Sequence, residues 1–388
     1  MANTILSPVV PSRSRDSDRP SVCILGTRGY PSYYGGFETA VRKIAPFLAA
    51  TGWDVTVYGR PGGTREFDPD LDVRVHRRLT RGIESKSLST LTHGFSAAVS
   101  TAKTRPDVAL VMNVANGFWI PLLKARGIPS VVNVDGIEWE REKWGRAARV
   151  VFRGGAAITA KKATTLVYDS VEIAKRWEST YHREGEVIAY GGEPAADLPI
   201  ESGFIHRGYV LMVARLVPEN SVPEFFAVAA KLSQTYPVII VGSTGYGGEL
   251  DTAAQKLAAD NSGIHWLGHI SDDRRLFALW QHAGVYFHGH SVGGTNPALV
   301  QAMSCGAPII ARDTVYNREV LGMAGRFTEV TPNALYTNLS DAMTSVATCE
   351  TYSAAAKARA QKHYSWIEIC EKYEQTLLAA IRTQGKVR

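Results

Sequence analysis

Short apolar runs rich in β-branched residues alternate with helix-like stretches along almost the whole chain. This alternation is typical of α/β domains, because parallel strands need a crossover helix between them. The strand candidates form two series, the first at 21–26, 54–59, 72–77, 108–113, 130–135, 165–170 and 186–190, and the second at 209–215, 237–242, 264–268, 285–290 and 308–311. The sequence therefore predicts an α/β protein with two Rossmann-like domains facing across a cleft.

The two series are separated by residues 191–204, which are rich in Gly, Pro and Ala and show no clear periodicity. Such a stretch is typical of a linker. We therefore expect a first domain over 21–190 and a second over 205–362. Residues 1–20 are rich in Ser, Arg and Pro and lack the apolar core of a signal peptide, so they predict a disordered tail.

The end of the chain, residues 363–388, predicts a long amphipathic helix. Its apolar positions recur at helical spacing at Trp366, Ile369, Tyr373, Leu377 and Ile381. Such a helix can cross back and brace the first domain, and this is the prediction we make. The periodicity alone suits a last helix on its own domain equally well.

The composition excludes several classes of protein. Hydrophobic residues make up 45% of the 388 residues and charged residues 21%, which is typical of a globular protein. No window approaches the roughly eighteen apolar residues of a membrane span, and the four cysteines form no Cys-x-x-Cys pair. We expect a cytoplasmic protein. The net charge of +6 is spread along the chain without the aromatic-interleaved basic stripe of a nucleic-acid surface, so no nucleic-acid partner is expected.

Two glycine-rich turns lie between a predicted strand and a predicted helix. Gly35 and Gly36 precede the first helix, and residues 293–295 precede Asn296 as N-cap and Pro297 as first helical residue. Glycines there let free N–H groups approach an anion, whereas a single pair is equally explained by a turn that needs positive φ. Two such turns at corresponding strand ends predict a diphosphate held between the domains.

Arg215 stands at the carboxyl end of the first strand of the second domain. From there its guanidinium could clamp a diphosphate through two hydrogen bonds. A surface salt bridge is the alternative.

Five motifs carry a resemblance to one family, and in chain order they are GTRGYPSYYGGFET, NVDGIEWEREKW, VARLVPEN, HSVGGTNP and YSW. The chain resembles the retaining nucleotide-sugar glycosyltransferases of GT-B fold in family four. Within that family it is similar to a bacterial subgroup of proposed rhamnosyltransferases. The resemblance spans residues 21 to about 381. It implies a cleft that binds a nucleoside diphosphate sugar mainly to the second domain and a hydroxyl acceptor mainly to the first.

The residue pattern and the resemblance together provide a set of site residues. The donor-binding candidates are Gly35, Gly36, Arg215, Asn220, Gly242, His290, Gly293, Gly294, Thr295, Asn296, Gln301 and Glu319. The acceptor-binding candidates are Arg28, Tyr34 and Asn116. The donor is expected to be linked to dTDP or UDP, and no metal ion or other cofactor is expected.

The chain departs from the pattern of the wider family at three of these positions. Gly293 and Gln301 stand where that family has a glutamate pair, and Asn220 stands where it usually has a lysine. Thr295 and Asn296 could then bind the sugar hydroxyls. Gln301 has one carbonyl oxygen to accept a hydrogen bond, which suits a deoxyribose with a single hydroxyl and hence a dTDP-linked donor.

The catalytic candidates are Asp135 and Glu138, which follow the strand at 130–135. Either could orient or deprotonate an acceptor hydroxyl, and N-capping of the next helix is the alternative for Asp135. The resemblance implies retention of configuration, with the leaving phosphate helping to take the proton, so no protein nucleophile is needed.

Two charged segments have simpler explanations as solvated surface. The Asp-x-Asp spacing at 68–72 resembles a metal site, but a polar loop is expected. The basic stretch 141–162 could dock the first domain on an anionic bilayer near a glycan, lipid-linked or small-molecule acceptor, and a solvated helix face is the alternative.

The leading hypothesis is a hexosyltransferase that moves a deoxyhexose such as rhamnose in polysaccharide biosynthesis. The competing hypotheses are a non-catalytic nucleotide-sugar-binding paralogue and a nucleotide-sugar epimerase.

Overall fold

The computed structural model describes residues 19–33, 35–64, 67–83, 89–141, 145–245 and 247–385. Most of the predicted tail and the acceptor candidate Tyr34 lie outside the described residues. The rest forms two α/β domains, each with helices on both faces of a parallel sheet.

The first sheet has seven strands in the order β3-β2-β1-β4-β5-β6-β7. They are β1 (Ser21–Leu25), β2 (Asp54–Gly59), β3 (His76–Leu79), β4 (Val108–Met112), β5 (Ser130–Asn133), β6 (Thr165–Tyr168) and β7 (Glu186–Val187). Its helices are α1 (Gly36–Ala50), α2 (Ser89–Thr104), α3 (Ile120–Ala125), α4 (Arg146–Lys162) and α5 (Val171–Tyr181), with 3₁₀ turns at Val114–Trp119 and Glu138–Glu140. β1 and β4 are buried along their whole length, which explains why they are unbroken apolar runs in the sequence.

The second sheet has six strands in the order β10-β9-β8-β11-β12-β13. They are β8 (Val210–Val213), β9 (Val238–Val241), β10 (Ile264–Trp266), β11 (Val285–His288), β12 (Ile309–Arg312) and β13 (Arg326–Thr328). Its helices are α6 (Val222–Leu232), α7 (Glu249–Asp260), α8 (Asp273–His282), α9 (Pro297–Cys305), α10 (Val315–Leu321), α11 (Pro332–Met343) and α12 (Val346–His363), with a 3₁₀ turn at Pro218–Asn220. Every strand pairing in the described sheets is parallel.

The strand order reverses beside β1 in the first sheet and beside β8 in the second. In open parallel sheets such a reversal leaves a crevice at the carboxyl ends of the strands, where ligands bind. The predicted α/β fold with two Rossmann-like sheets is confirmed.

The strand predictions differ from the structure at one predicted strand and at one strand that was not predicted. The strand predicted at 72–77 begins only at His76, because Asp72 makes a turn in which its side chain accepts a hydrogen bond from the Arg74 amide (2.9 Å) and its carbonyl accepts one from the Val75 amide (3.1 Å). The edge strand β13 was not predicted, since its three residues are too short for a periodicity.

The last helix, α13 (Trp366–Gly385), crosses back to the first domain, as predicted. Ile369, Cys370, Tyr373 and Leu377 are buried in the same apolar cluster as α1 and the first sheet. The helix begins at Trp366 instead of 363 because α12 continues to His363 and is capped there.

The two segments that connect the domains lie side by side. Gly192 in the predicted linker pairs with Ser365, just before α13, in an isolated parallel bridge. The Gly192 amide also donates to the Tyr364 carbonyl at 2.9 Å. Further along the linker, Ala195 and Phe204 pack against the core of the second domain.

None of the helices in the described part of the chain combines the length and apolar character that crossing a bilayer requires.

We predict that Leu377→Ala lowers the free energy of unfolding by about 2–5 kcal/mol, since it leaves a cavity between the crossover helix and the first domain. Urea denaturation followed by tryptophan fluorescence measures the change. Ile367→Ala on the same helix, where the side chain is 67% exposed, is the matched control and should change little. Equal effects of the two substitutions would contradict the packing described for α13.

Candidate active site

The starts of helices α1 and α9 meet across the two domains. A Cβ added at Gly36 would stand 3.3 Å from Cγ of Pro297 and 3.4 Å from the ring of Tyr190. No side chain caps α1 at Gly35. The predicted arrangement, with two glycine-lined helix starts facing each other, is therefore present.

The glycine loop at 293–296 is shaped by its backbone and by contacts to the first domain. Gly293 has a φ of +107°, which favours glycine, and its Cα lies close to Gly136 of the first domain. Asn296 caps α9 by accepting a hydrogen bond from the Ala298 amide at 3.0 Å, as predicted. The Thr295 hydroxyl donates to the backbone carbonyl of Asp169 in the first domain.

Two donor-binding candidates of the second domain use their polar groups within the fold. Asn220 is buried, and its side-chain amide donates to the Arg215 carbonyl at 2.9 Å. The Gly242 amide donates to the Gly268 carbonyl, and its own carbonyl accepts from the Trp266 indole. A Cβ at Gly242 would overlap the Ala214 carbonyl at 1.8 Å. Both residues shape the loops that present Arg215, which is itself exposed, and their contact with a donor stays a prediction.

His290 lies beside the glycine loop and stacks on His288, with ring centroids 4.3 Å apart. Burial, together with the nearby Arg215 and Arg141 guanidinium groups, lowers the pKa of His290 to about 3. The imidazole is therefore neutral at physiological pH, when it has one donor and one acceptor nitrogen.

Gln301 is held by the linker. Its carbonyl oxygen accepts from the Glu193 amide and its amide group donates to the Glu193 carbonyl, both at 2.9 Å. An amide side chain can pair with a backbone unit in this way because it carries one acceptor and a donor. A role toward a ribose stays a prediction.

Glu319 also reaches across the domain boundary. Its carboxylate accepts hydrogen bonds from the amides of Val171 (2.7 Å) and Glu172 (3.1 Å), which open helix α5. A carboxylate at a helix N-terminus is stabilised by the unpaired N–H groups there. The predicted contact of Glu319 with a donor stays a prediction.

Asp135 and Glu138 are joined by Arg141. The guanidinium lies 2.7 Å from a Glu138 carboxylate oxygen and 3.8 Å from one of Asp135. Glu138 is 3% exposed, whereas the Asp135 side chain is 23% exposed and so is the more accessible acid. Asp135 has a φ of +61°, and Ile137 precedes the 3₁₀ turn at 138–140, so N-capping by Asp135 was the wrong alternative.

The crossover helix supports the Asp135 loop. The Asn133 side-chain amide donates to the Tyr373 hydroxyl at 2.7 Å, and its carbonyl oxygen accepts from the Asp135 amide at 2.9 Å. Sequence analysis placed Tyr373 only on an apolar helix face. The position of Asn133 at the end of a strand was the sole signal for this chain of hydrogen bonds.

Asp169 is a residue that sequence analysis missed. It follows β6 as Asp135 follows β5, yet it is 2% exposed, and its carboxyl group lies against Gly294 of the other domain. Burial and the neighbouring Asp135 raise its pKa well above the usual range, and the Arg141 charge opposes them. The strand-end position was the available signal.

Of the acceptor candidates, Asn116 is fully buried. Its amide donates to the Met112 carbonyl at 2.8 Å, and it packs beneath Gly26 and Gly94, so its contact with an acceptor stays a prediction. The Arg28 amide donates to Glu38 and its carbonyl accepts from the Arg60 amide.

No group of three or more potential ligands within the described ranges could hold a metal ion. In the Asp-x-Asp segment, Asp68 and Asp70 both accept hydrogen bonds from the Tyr33 hydroxyl, at 2.8 and 2.9 Å. Asp70 also pairs with Arg42 at 3.1 Å.

We predict that Tyr373→Phe lowers the free energy of unfolding by about 1–3 kcal/mol, because it leaves the buried Asn133 amide without its partner. Chemical denaturation measures the change. Tyr316→Phe is the control, since its hydroxyl only accepts from Arg176 at the surface. A Tyr373→Phe protein as stable as the wild type would show that the hydrogen bond contributes nothing.

Comparison with known proteins gives two family matches on successive parts of the chain. The Glycosyl transferase 4-like domain model matches residues 35–191, and the Glycosyl transferases group 1 model matches residues 204–363. Among curated relatives, the O-antigen chain mannosyltransferase B of Escherichia coli is 22% identical over 138 residues, which is 34% of this chain and 36% of that protein. The chain spans about a third of the length of the curated relatives it matches.

Solved structures resemble the whole chain. Sucrose-phosphate synthase from Thermosynechococcus elongatus matches with a TM-score of 0.74 at 17% identity, over 92% of this chain and 98% of that one. Anabaena HepE in complex with UDP-glucose matches with a TM-score of 0.73 at 15% identity, over 92% and 99%. Residues 35–191 therefore match a glycosyl transferase 4-like domain and residues 204–363 a glycosyl transferase group 1 domain, and the chain shares the two-domain fold of these solved structures.

Proposed function

We propose that the protein transfers a sugar from a nucleoside diphosphate donor to a hydroxyl group, with retention of configuration. The observation that supports this best is the meeting of the α1 and α9 helix starts between the domains. Unpaired N–H groups at two helix starts favour a ligand with two negative phosphates. The exposed Arg215 and the neutral His290 border the same loop.

The leaving diphosphate is the group that these residues stabilise. Charge accumulates on it as the bond to the sugar breaks, and fixed N–H donors aimed at that charge lower the barrier. The acceptor oxygen bonds to the anomeric carbon on the face from which the diphosphate leaves, so no protein nucleophile is needed, and the acceptor proton passes to the leaving phosphate, so no protein base is needed. Asp135, held near Arg141, positions the acceptor by accepting a hydrogen bond from a neighbouring hydroxyl group of the acceptor, which leaves the reacting proton free to pass to the phosphate.

The transferred sugar is proposed to be a deoxyhexose such as rhamnose, on dTDP or UDP. Support for rhamnose is the motif resemblance alone, since the Gln301 amide is paired with Glu193 in the structure. Support for a uridine nucleotide is the structural neighbour solved with UDP-glucose.

The acceptor is proposed to be a glycan, a lipid-linked sugar or a small molecule bound to the first domain. A lipid-linked acceptor would require docking at a bilayer. Helix α4 exposes Arg146, Val150 and Arg153 on one face, a combination that suits an anionic membrane surface. Residues 142–144 of the predicted basic stretch lie outside the described residues.

We expect UDP or dTDP to raise the melting temperature more than GDP or ADP at equal concentration. A ligand at a hundred times its dissociation constant adds about 2.7 kcal/mol to stability. Preference for dTDP would support a deoxyhexose donor, and preference for GDP or ADP would contradict both proposed donors. No shift with any of the four would contradict the proposed cleft.

Arg215→Ala should weaken binding of the preferred nucleotide about 10- to 100-fold, because it removes charge-assisted hydrogen bonds to phosphate. Isothermal titration calorimetry gives the dissociation constants. Arg318→Ala, which removes an exposed ion pair with Asp313 and a cation–π contact with Phe327, is the matched control. Unchanged affinity in Arg215→Ala would remove this residue from the donor site.

A further inference from the structure

Asp169 is a buried acid that the proposed mechanism does not use. Asp169 lies between β6 and Ser170, which caps α5. Its carboxyl oxygen Oδ1 is buried and has no hydrogen-bond partner among the described residues. Buried polar atoms in folded proteins almost always have a partner, so an unpaired one at a cleft indicates a group that the ligand satisfies.

The side chain of Asp169 is aimed at the glycine loop of the second domain. A Cβ added at Gly294 would stand 1.9 Å from Oδ1 and 2.7 Å from Oδ2. The Thr295 hydroxyl, on the next residue, fixes the Asp169 backbone by donating to its carbonyl. The carboxyl group and the backbone carbonyl of Asp169 therefore both contact residues of the glycine loop.

The loop itself offers no acid group. Residues 293 and 294 are glycines. The Thr295 hydroxyl donates its hydrogen bond to the Asp169 backbone carbonyl, and the Asn296 side-chain oxygen accepts one from the Ala298 amide. Backbone N–H groups suit phosphates, but a sugar hydroxyl also needs an acceptor for its proton. Asp169 is the carboxyl group that touches this loop.

We infer that Asp169 binds a hydroxyl group on the sugar of the donor, so that the first domain supplies the acid that the second-domain loop lacks. This inference rests on the proposed nucleotide-sugar donor. The charged groups around Asp169 are Asp135, Glu319 and Arg141. Burial, with the charges of Asp135 and Glu319, raises the pKa of Asp169 against the effect of Arg141. In its neutral form the carboxyl group can both donate to and accept from a sugar hydroxyl.

Calorimetry with matched ligand pairs tests the inference, using UDP with UDP-glucose and dTDP with dTDP-rhamnose. Asp169→Ala should weaken binding of the sugar nucleotide about 10-fold or more, whereas the affinity for the nucleoside diphosphate alone stays within about twofold of wild type. Asp169→Asn keeps a donor and an acceptor of the same shape and should restore the affinity to within about threefold. Asp313→Asn, an acid-to-amide change at an exposed ion pair, is the control and should change neither affinity.

The outcomes separate this inference from the function on which it rests. If wild type binds none of the four ligands, the proposed donor site is wrong. If wild type binds them and Asp169→Ala weakens both members of a pair equally, or neither, Asp169 is only a contact between domains and the inference is overturned. Should Asp169→Ala fail to unfold cooperatively, Asp169→Ser is compared with Asp169→Asn by the same ratio of dissociation constants.

A second substitution separates shape from chemistry at this contact. Gly294→Ala should weaken both members of a pair, because its Cβ overlaps the Asp169 carboxyl group. In the double variant Asp169→Ala/Gly294→Ala the overlap is gone, so nucleoside diphosphate binding should recover while the gain in affinity from the sugar does not. Recovery of that gain in the double variant would overturn the inference.

Discussion

The two domains come together because side chains are missing where they touch. Gly36 lies against Pro297, Gly136 against Gly293, and Gly294 against the Asp169 carboxyl group. A methyl group at Gly294 would overlap Asp169, and one at Gly36 or Gly136 would leave its neighbour only 3.3 Å away. The close approach of the helix starts, and with it the geometry of the candidate donor site, depends on these contacts of glycines that carry no side chain.

The sequence was sufficient to predict the layout but not the use of each polar group. Two series of buried strands and an amphipathic last helix carry their signal in local periodicity, so both sheets and the helix could be predicted, whereas periodicity did not decide which domain that helix packs against. The hydrogen bonds of Asn220, Gly242 and Asn116 could not be predicted, because their partners include backbone groups that only the tertiary fold brings near. Asp169 was missed for the related reason that no local pattern shows which strand-end acid will be buried without a partner.

The crossover helix does more than cover the first sheet. Through Tyr373 it reaches Asn133, and through Asn133 the backbone of Asp135. Glu319 makes a similar connection, since an acid of the second domain caps helix α5 of the first. Residues on both sides of the candidate site are therefore positioned by chain segments from the opposite end of the sequence.

The pairing of Gly192 with Ser365 sets how the cleft can open. Two connecting segments of the chain pass between the domains, and at Gly192 and Ser365 they are hydrogen-bonded to each other. Two separate tethers would let one domain twist and slide over the other. A joined pair connects the two domains at one place, so a hinge motion about that place would keep both connections and the hydrogen bond between them intact.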